Sequence, residues 1–289
     1  MIISSKAIKA AVIGDPISHS LSPKIHNSWI EQKNIDGVYL ALKIAKSDLN
    51  LCVDSLVKMN FSGFNVTIPH KEEIYKICDF KSKTAELTKA VNTVIITEDK
   101  KLFGHNSDSE GFLNNLYNSQ KSFNCKNKTA FVIGAGGAAR AIIYSLLKSE
   151  IKEIYITNRS ENRALELISD FKDFAAEKNC NLYFLDSKNF EENLDKCHIL
   201  INSTSLGMVG QEQLKIDLKT LPKSAIVYDI VYKPLITELL YNAQKQGNQI
   251  VTGIGMLVYQ AAVGFEAWFK SKPQVDDNFI QQTLSWANK

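Results

Sequence analysis

The stretch Ala130–Ala141, AFVIGAGGAARA, constrains the fold of this chain more than any other. Ala130–Ile133 reads as a short buried strand, and an apolar helical pattern runs from Ala138 to Leu147. Between them, Gly134-Ala135-Gly136-Gly137-Ala138-Ala139 fits the spacing G-x-G-x-x-A. A strand, a tight turn and a helix in that order are what a dinucleotide pyrophosphate requires. One glycine turns the chain, one lets backbone approach the phosphates, and a small third residue lets helix pack on strand. Backbone N–H groups and the helix dipole then favour negative charge at the helix start. The alternative is an ordinary glycine-rich turn, and the flanking strand and helix count against it.

The next strand bears on which dinucleotide is bound. Glu153–Thr157 is expected to be that strand, and its end carries Asn158, Arg159 and Ser160, with Arg163 one helical turn further on. An NAD site ordinarily places Asp or Glu here for the ribose hydroxyls, whereas a 2′-phosphate asks for positive charge. The chain has only three arginines, Arg140, Arg159 and Arg163. The planar, bidentate phosphate-binding side chain is thus confined to this segment. NADP is expected over NAD.

With 289 residues, two domains are expected. Apolar content of 45% and charged content of 22% are those of a globular protein. A net charge of +3, with no Lys/Arg block, excludes a nucleic-acid partner as the expectation. The opening MIISSKAIKAAVIG is too short an apolar run for a signal peptide, and no run approaches the roughly 18 residues of a membrane span. Five scattered cysteines and five histidines show no ligand spacing, so reduced thiols, a cytoplasmic location and no metal are expected.

Before the glycine turn, strands are expected at Lys9–Ile13, Val38–Ile44, Phe61–Val66 and Val91–Thr97. Helices are expected from Ser22 to about Gln32, at Ser47–Lys58 and at Lys71–Ile77, with Ser22 and Ser47 as N-caps. Alternation of this kind argues for a mostly parallel sheet with functional loops at the carboxyl ends of its strands. Three loops there carry polar residues that the fold does not need: Ser18, Ser20 and Ser22; Thr67 to Lys71; and Asn92 with Asn106, Ser107 and Asp108. Hydroxyls, an amide, a lysine and a carboxylate suit a small polyhydroxylated acid. Helix capping by Ser22 or Asp108 and a surface role for Lys71 are the alternatives.

From Ala130 a doubly wound dinucleotide domain is expected, after which Met256–Phe269 and Asp276–Trp286 read as helices returning to the first domain. The fold class is therefore α/β: an N-terminal, mostly parallel substrate domain and a Rossmann-type dinucleotide-binding domain, with the cleft between them. The expected ranges are 1–109 completed by 256–289, and 110–255, with hinges near the two crossings.

Nine motifs in order resemble the NADP-dependent shikimate dehydrogenase family: GDPISHSLSPKIHN (14–27), NVTIPHKE (65–72), AVNTV (90–94), GHNSDSEGF (104–112), GAGGAARA (134–141), NRS (158–160), INSTSLGM (201–208), VYDIVYKPLIT (227–237) and GIGMLVYQA (253–261). The resemblance implies NADPH-dependent, reversible reduction of 3-dehydroshikimate to shikimate in aromatic amino acid (chorismate) biosynthesis; a monomer or homodimer is expected, and the sequence does not decide between them. It implies Lys71 and Asp108 as the catalytic pair, and Ser20, Ser22, Thr67, Asn92, Tyr232 and Gln260 as substrate contacts. For the cofactor it implies Gly134, Gly136, Gly137 and Ala138 at the pyrophosphate, Asn158, Arg159, Ser160 and Arg163 at the adenosine phosphate, and Thr204, Gly253 and Met256 elsewhere. Lys89, Ser107, Ser109 and Lys233 depart from the family's usual residues. Quinate as substrate, a non-catalytic NADP sensor and a methylene-tetrahydrofolate-type dehydrogenase are the rival readings.

Overall fold

A computed structural model describes residues 3–287, and its chain divides into two compact units. One comprises the residues up to Gly111 together with those from Val258 on; the other is Phe112–Leu257.

The first unit runs β1 (Ile8–Gly14), α1 (Ser22–Gln32), β2 (Gly37–Lys43), α2 (Leu49–Lys58), β3 (Gly63–Val66), α3 (Lys71–Ile77), β4 (Phe80–Lys81), α4 (Lys83–Thr88), β5 (Thr93–Ile96) and β6 (Leu102–His105), and reaches α5 (Asp108–Ser119). Its sheet has the order β2-β1-β3-β5-β6-β4. Ala10–Ile13 in β1 are buried on both faces, as a near-continuous apolar run in a covered parallel sheet should be. Only β5 is reversed, antiparallel to both β3 and β6.

That reversal builds the site. Ile13 of β1 pairs with Val66 of β3, so the loops after these two strands leave from the same edge. Asn65 pairs with Thr93 and Thr93 with His105, so the start of β5 and the end of β6 lie there too. Asn92 thus sits at the amino end of a reversed strand, not at a carboxyl end as the alternation alone suggests.

The second unit runs β7 (Thr129–Ile133), α6 (Gly137–Lys148), β8 (Glu153–Thr157), α7 (Glu161–Glu177), β9 (Asn181–Phe184), α8 (Ser187–Glu192), β10 (Ile199–Asn202), β11 (Ile226–Asp229), α9 (Glu238–Gln246) and β12 (Gln249–Val251). Its six strands are all parallel in the order β12-β11-β10-β7-β8-β9. This is the doubly wound order, with the glycine turn leaving the β7 strand where the order reverses. The chain then enters α10 (Ile254–Phe269) and α11 (Asp277–Ala287). Trp29, Tyr39, Phe265 and Trp268 are buried together in the first unit.

Several local expectations need correction. Neither Ser22 nor Ser47 caps a helix: α1 begins at Ser22 itself and α2 at Leu49, neither with a side-chain cap. β4, α4 and β6 are additional elements. Lys89 adopts the left-handed conformation (φ 51°) that closes α4. No helix among the described residues is long and apolar enough to cross a membrane.

Candidate active site

In the first unit Lys71 opens α3, directly after the Thr67–His70 turn. Its Nζ donates to Asp108 Oδ2 at 2.6 Å. The other carboxylate oxygen, Oδ1, accepts from Asn92 Nδ2 at 2.7 Å. Asn92 has no freedom to turn its amide round. Its Oδ1 accepts from Ser107 N at 2.8 Å, Thr93 Oγ1 at 3.0 Å and Ser107 Oγ at 3.1 Å, which leaves Nδ2 to face the carboxylate. Gln260 Oε1 lies 3.5 Å from Ser107 Oγ. The structure therefore brings Lys71, Asp108, Asn92 and Gln260 into one cluster.

Asp108 is the first residue of α5, yet its carboxylate is turned to Lys71 and Asn92, while Asn106 Oδ1 accepts from the Asp108 backbone N–H at 3.1 Å. Capping is not what this carboxylate does. Asp108 is buried and the Lys71 side chain is 26% exposed, so the pair has one open side.

The serine loop joins the same edge. Asp15 N donates to Ile68 O at 3.1 Å, linking the loops after β1 and β3. Ser22 is buried and its backbone N–H donates to Ser20 Oγ at 3.3 Å. Thr67 is half-buried beside them, its carbonyl accepting from His70 N at 3.0 Å. Two residues not singled out in the sequence connect these serines to the lysine. Ser22 lies close enough to Tyr39 to oppose the rise in its pKa, and the Tyr39 hydroxyl donates to Asn65 Oδ1 at 2.6 Å. Asn65 Nδ2 in turn donates to Asn92 O and Thr93 Oγ1, each at 3.1 Å. Burial pushes the Tyr39 hydroxyl well above its ordinary pKa, so it stays a donor.

The second unit holds the glycine turn. Gly134 has φ +114°, and a Cβ there would come within 2.6 Å of Ser203 Oγ and 2.9 Å of Thr204 Cγ2. Only glycine fits this position. Gly136 is the N-cap of α6 with no side-chain cap, and a Cβ on Gly136 or Gly137 would meet nothing within 4 Å. The space in front of this helix start is open, as a bound pyrophosphate demands.

Asn158 and Arg159 at the end of β8 line a cavity of about 500 Å³. Ser160 is the N-cap residue of α7, and Arg163 is exposed on its first turn. Among the described residues neither Arg159 nor Arg163 forms an ion pair. Arg140 differs: its Nη2 donates to Asp170 Oδ2 at 2.6 Å, so the third arginine is committed inside the unit.

Thr204 lies in the loop that follows β10. Its hydroxyl donates to Asn202 Oδ1 at 2.7 Å and accepts from Leu206 N at 3.0 Å, stapling its own loop. Asn202 is held in turn by the buried Asp229, whose Oδ1 accepts from Asn202 Nδ2 at 3.0 Å and whose Oδ2 accepts from Thr237 Oγ1 at 2.7 Å. Burial raises the Asp229 carboxyl above its ordinary pKa. Gly253 packs on the backbone of Ile230, too closely for any side chain, and Met256 is buried in the first turn of α10. Tyr232 is half-buried after β11, its phenol pushed up by burial.

The chain is 43% identical over 98% of its length to a shikimate dehydrogenase (NADP(+)) from Paramagnetospirillum magneticum, of which the match covers 100%. The chain belongs to the shikimate dehydrogenase family. Three family models fall along it in order: the shikimate dehydrogenase substrate binding domain at 12–94, shikimate / quinate 5-dehydrogenase at 117–234, and the shikimate 5′-dehydrogenase C-terminal domain at 253–277. Among solved structures, shikimate 5-dehydrogenase from Listeria monocytogenes in complex with shikimate and NAD is similar at TM-score 0.89 and 33% identity, covering 98% of each chain. The shikimate 5-dehydrogenase of Thermus thermophilus in complex with NADP(H) and shikimate has TM-score 0.82 and 30% identity, covering 97% of this chain and 99% of that one. The shikimate dehydrogenase fold, a substrate-binding unit and a dinucleotide-binding unit, is the fold expected from the motifs.

Proposed function

We propose that this chain reversibly reduces 3-dehydroshikimate to shikimate with NADPH, as a step of aromatic (chorismate) biosynthesis. The observation that carries the reading is the Lys71–Asp108 pair at 2.6 Å, held by Asn92, in a member of this family. NADPH supplies a hydride when bound. Hydride addition to a ring ketone leaves an alkoxide that must be stabilised and protonated as it forms. The Lys71 ammonium does both, with Asp108 orienting the amine and accepting from a ring hydroxyl.

Ser20, Ser22 and Thr67 offer hydroxyl donors to the substrate carboxylate in place of an arginine, since none precedes position 140. Asn92, Tyr232 and Gln260 keep the substrate-contact roles that the family motifs assign. The open backbone at Gly136, Gly137 and Ala138 suits the pyrophosphate, and Gly134 shapes the turn. Asn158, Arg159, Ser160 and Arg163 form the 2′-phosphate clamp, and Gly253 with Met256 borders the nicotinamide. Thr204 contributes by shape, its methyl bracing Gly134. A cytoplasmic location suits five cysteines that form no disulfide, and the assembly in this reading is a monomer or homodimer.

The test is absorbance at 340 nm on mixing the protein with shikimate and NADP⁺, repeated with quinate and with NAD⁺. Rapid reduction of NADP⁺ by shikimate alone is expected. Faster turnover with quinate, or with NAD⁺, replaces this reading.

A further inference from the structure

The cavity of about 500 Å³ beside Arg159 is lined on the loop side by Leu214, Lys215 and Ile216, from the irregular segment between β10 and β11. Its charged lining is Arg159 and Lys215 against Glu161, Asp186 and Glu191. Asp186 has donors of its own, Asn189 N at 2.9 Å and Asn189 Nδ2 at 2.7 Å. Neutral donors leave its charge in place, so Arg159 alone does not offset three carboxylates and a dianionic phosphate. Arg163 is not in this lining, and Arg140 is spent on Asp170. Lys215 is exposed and makes no ion pair among the described residues, whereas its neighbour Lys219 pairs with Asp217 at 3.1 Å.

We propose that Lys215 is a second cationic determinant of 2′-phosphate recognition, reaching the adenosine phosphate from the loop after β10 while Arg159 and Arg163 approach from β8 and α7. The assignment rests on the NADPH reading above and adds a specificity residue to it. A lysine on a flexible stem acts here as a screened point charge and not as a bidentate fork. Its contribution is therefore smaller than that of Arg159 and more sensitive to salt.

Calorimetric binding of 2′,5′-ADP and of 5′-AMP to the whole protein tests this without catalysis. The wild type is expected to bind 2′,5′-ADP more tightly than AMP. Lys215→Gln should weaken 2′,5′-ADP roughly three- to tenfold, less so at high salt, and leave AMP unchanged. Lys219→Gln, with the same loss of charge nearby, should change neither. A wild type that does not distinguish the two ligands overturns the NADPH reading itself. A wild type that does, with Lys215→Gln unaltered or weakened equally toward both, overturns the role of Lys215 and leaves that reading standing.

Discussion

The two candidate sites are built on opposite plans. In the first unit the charged groups already face one another: both oxygens of Asp108 have donors, and Asn92 is locked by three donors of its own. In the second unit the glycine turn offers bare backbone, and Arg159 and Arg163 stand outside any ion pair among the described residues. The difference follows from what each must do. A proton donor has to be held in one geometry before the substrate arrives, because orientation lowers the barrier only if it costs nothing at the moment of reaction. A cofactor site must instead keep donors and cations available for a polyanion. Substitutions of the charged pair in the first should therefore strike kcat, and those in the second the cofactor KM.

The largest effect is expected at Lys71. Lys71→Ala should lower kcat by roughly 10²–10⁴, the worth of a positioned acid–base group, with shikimate KM changed much less. Steady-state kinetics with varied shikimate checks this, and a kcat within threefold of wild type would falsify the proton-donor role. Next comes Ser22→Ala. A hydrogen bond to a charged group is worth about 1.5–3 kcal/mol, so shikimate KM should rise on the order of tenfold or more. Because Ser22 caps no helix, α1 loses no capping bond and thermal stability should fall by no more than a few degrees. Lost stability with unchanged KM would turn this residue into a scaffold element.

The second unit allows a sharper contrast within a single turn. Gly134→Ala forces a Cβ to within 2.6 Å of Ser203 Oγ at a backbone conformation of φ +114°, which costs about 1–3 kcal/mol. The melting temperature should fall by several degrees. Gly136→Ala adds a Cβ in open space on extended backbone (φ −92°, ψ −170°), so stability should barely change while NADP⁺ KM rises several-fold. Should Gly136→Ala bind NADP⁺ normally, the open space is not where the pyrophosphate goes.

How much of this was legible in the sequence depends on how local each signal is. The glycine turn is legible because spacing within six residues dictates it. Lys71, Asn92 and Asp108 are legible as motif members, but the reason they meet is not. They converge because β5 runs antiparallel, and strand direction is decided by pairing between distant segments. Asn65 did leave a trace, as a polar residue within the fully buried strand Gly63–Val66. Tyr39 left none, since a buried tyrosine in a strand reads as ordinary core. β4 is two residues long and has no period to detect. Thr204 is legible only through the resemblance, and the bonds its hydroxyl makes within its own loop leave no sequence signal.

The smallest effect at neutral pH carries the comparison into the cores behind the sites. Each unit buries an ionisable group whose named neighbours are all uncharged, and the two respond to pH in opposite senses. His26 lies flat against Tyr39, ring centroids 3.9 Å apart at 4°, and burial, outweighing the opposing pull of Asn65, lowers its pKa from 6.5 to about 3. Its folded pKa lies below its unfolded one, so the unfolded chain takes up the proton first on acidification. The stability that His26 contributes is complete above about pH 6.5 and is lost as pH falls toward 3, at up to about 1.4 kcal/mol per pH unit. Asp229 in the second unit has a raised pKa, so its ionisation opposes folding and the associated loss comes as pH rises. His26→Phe keeps an aromatic ring on the Tyr39 stack and removes the titration. Urea midpoints at pH 8 and pH 5 should therefore separate: the variant should match the wild type at pH 8 within about 1 kcal/mol and exceed it at pH 5 by about 2 kcal/mol. Equal pH dependence in the two proteins would mean that His26 reaches solvent and protonates without unfolding, and the aromatic core beneath the serine loop would be looser than its packing indicates.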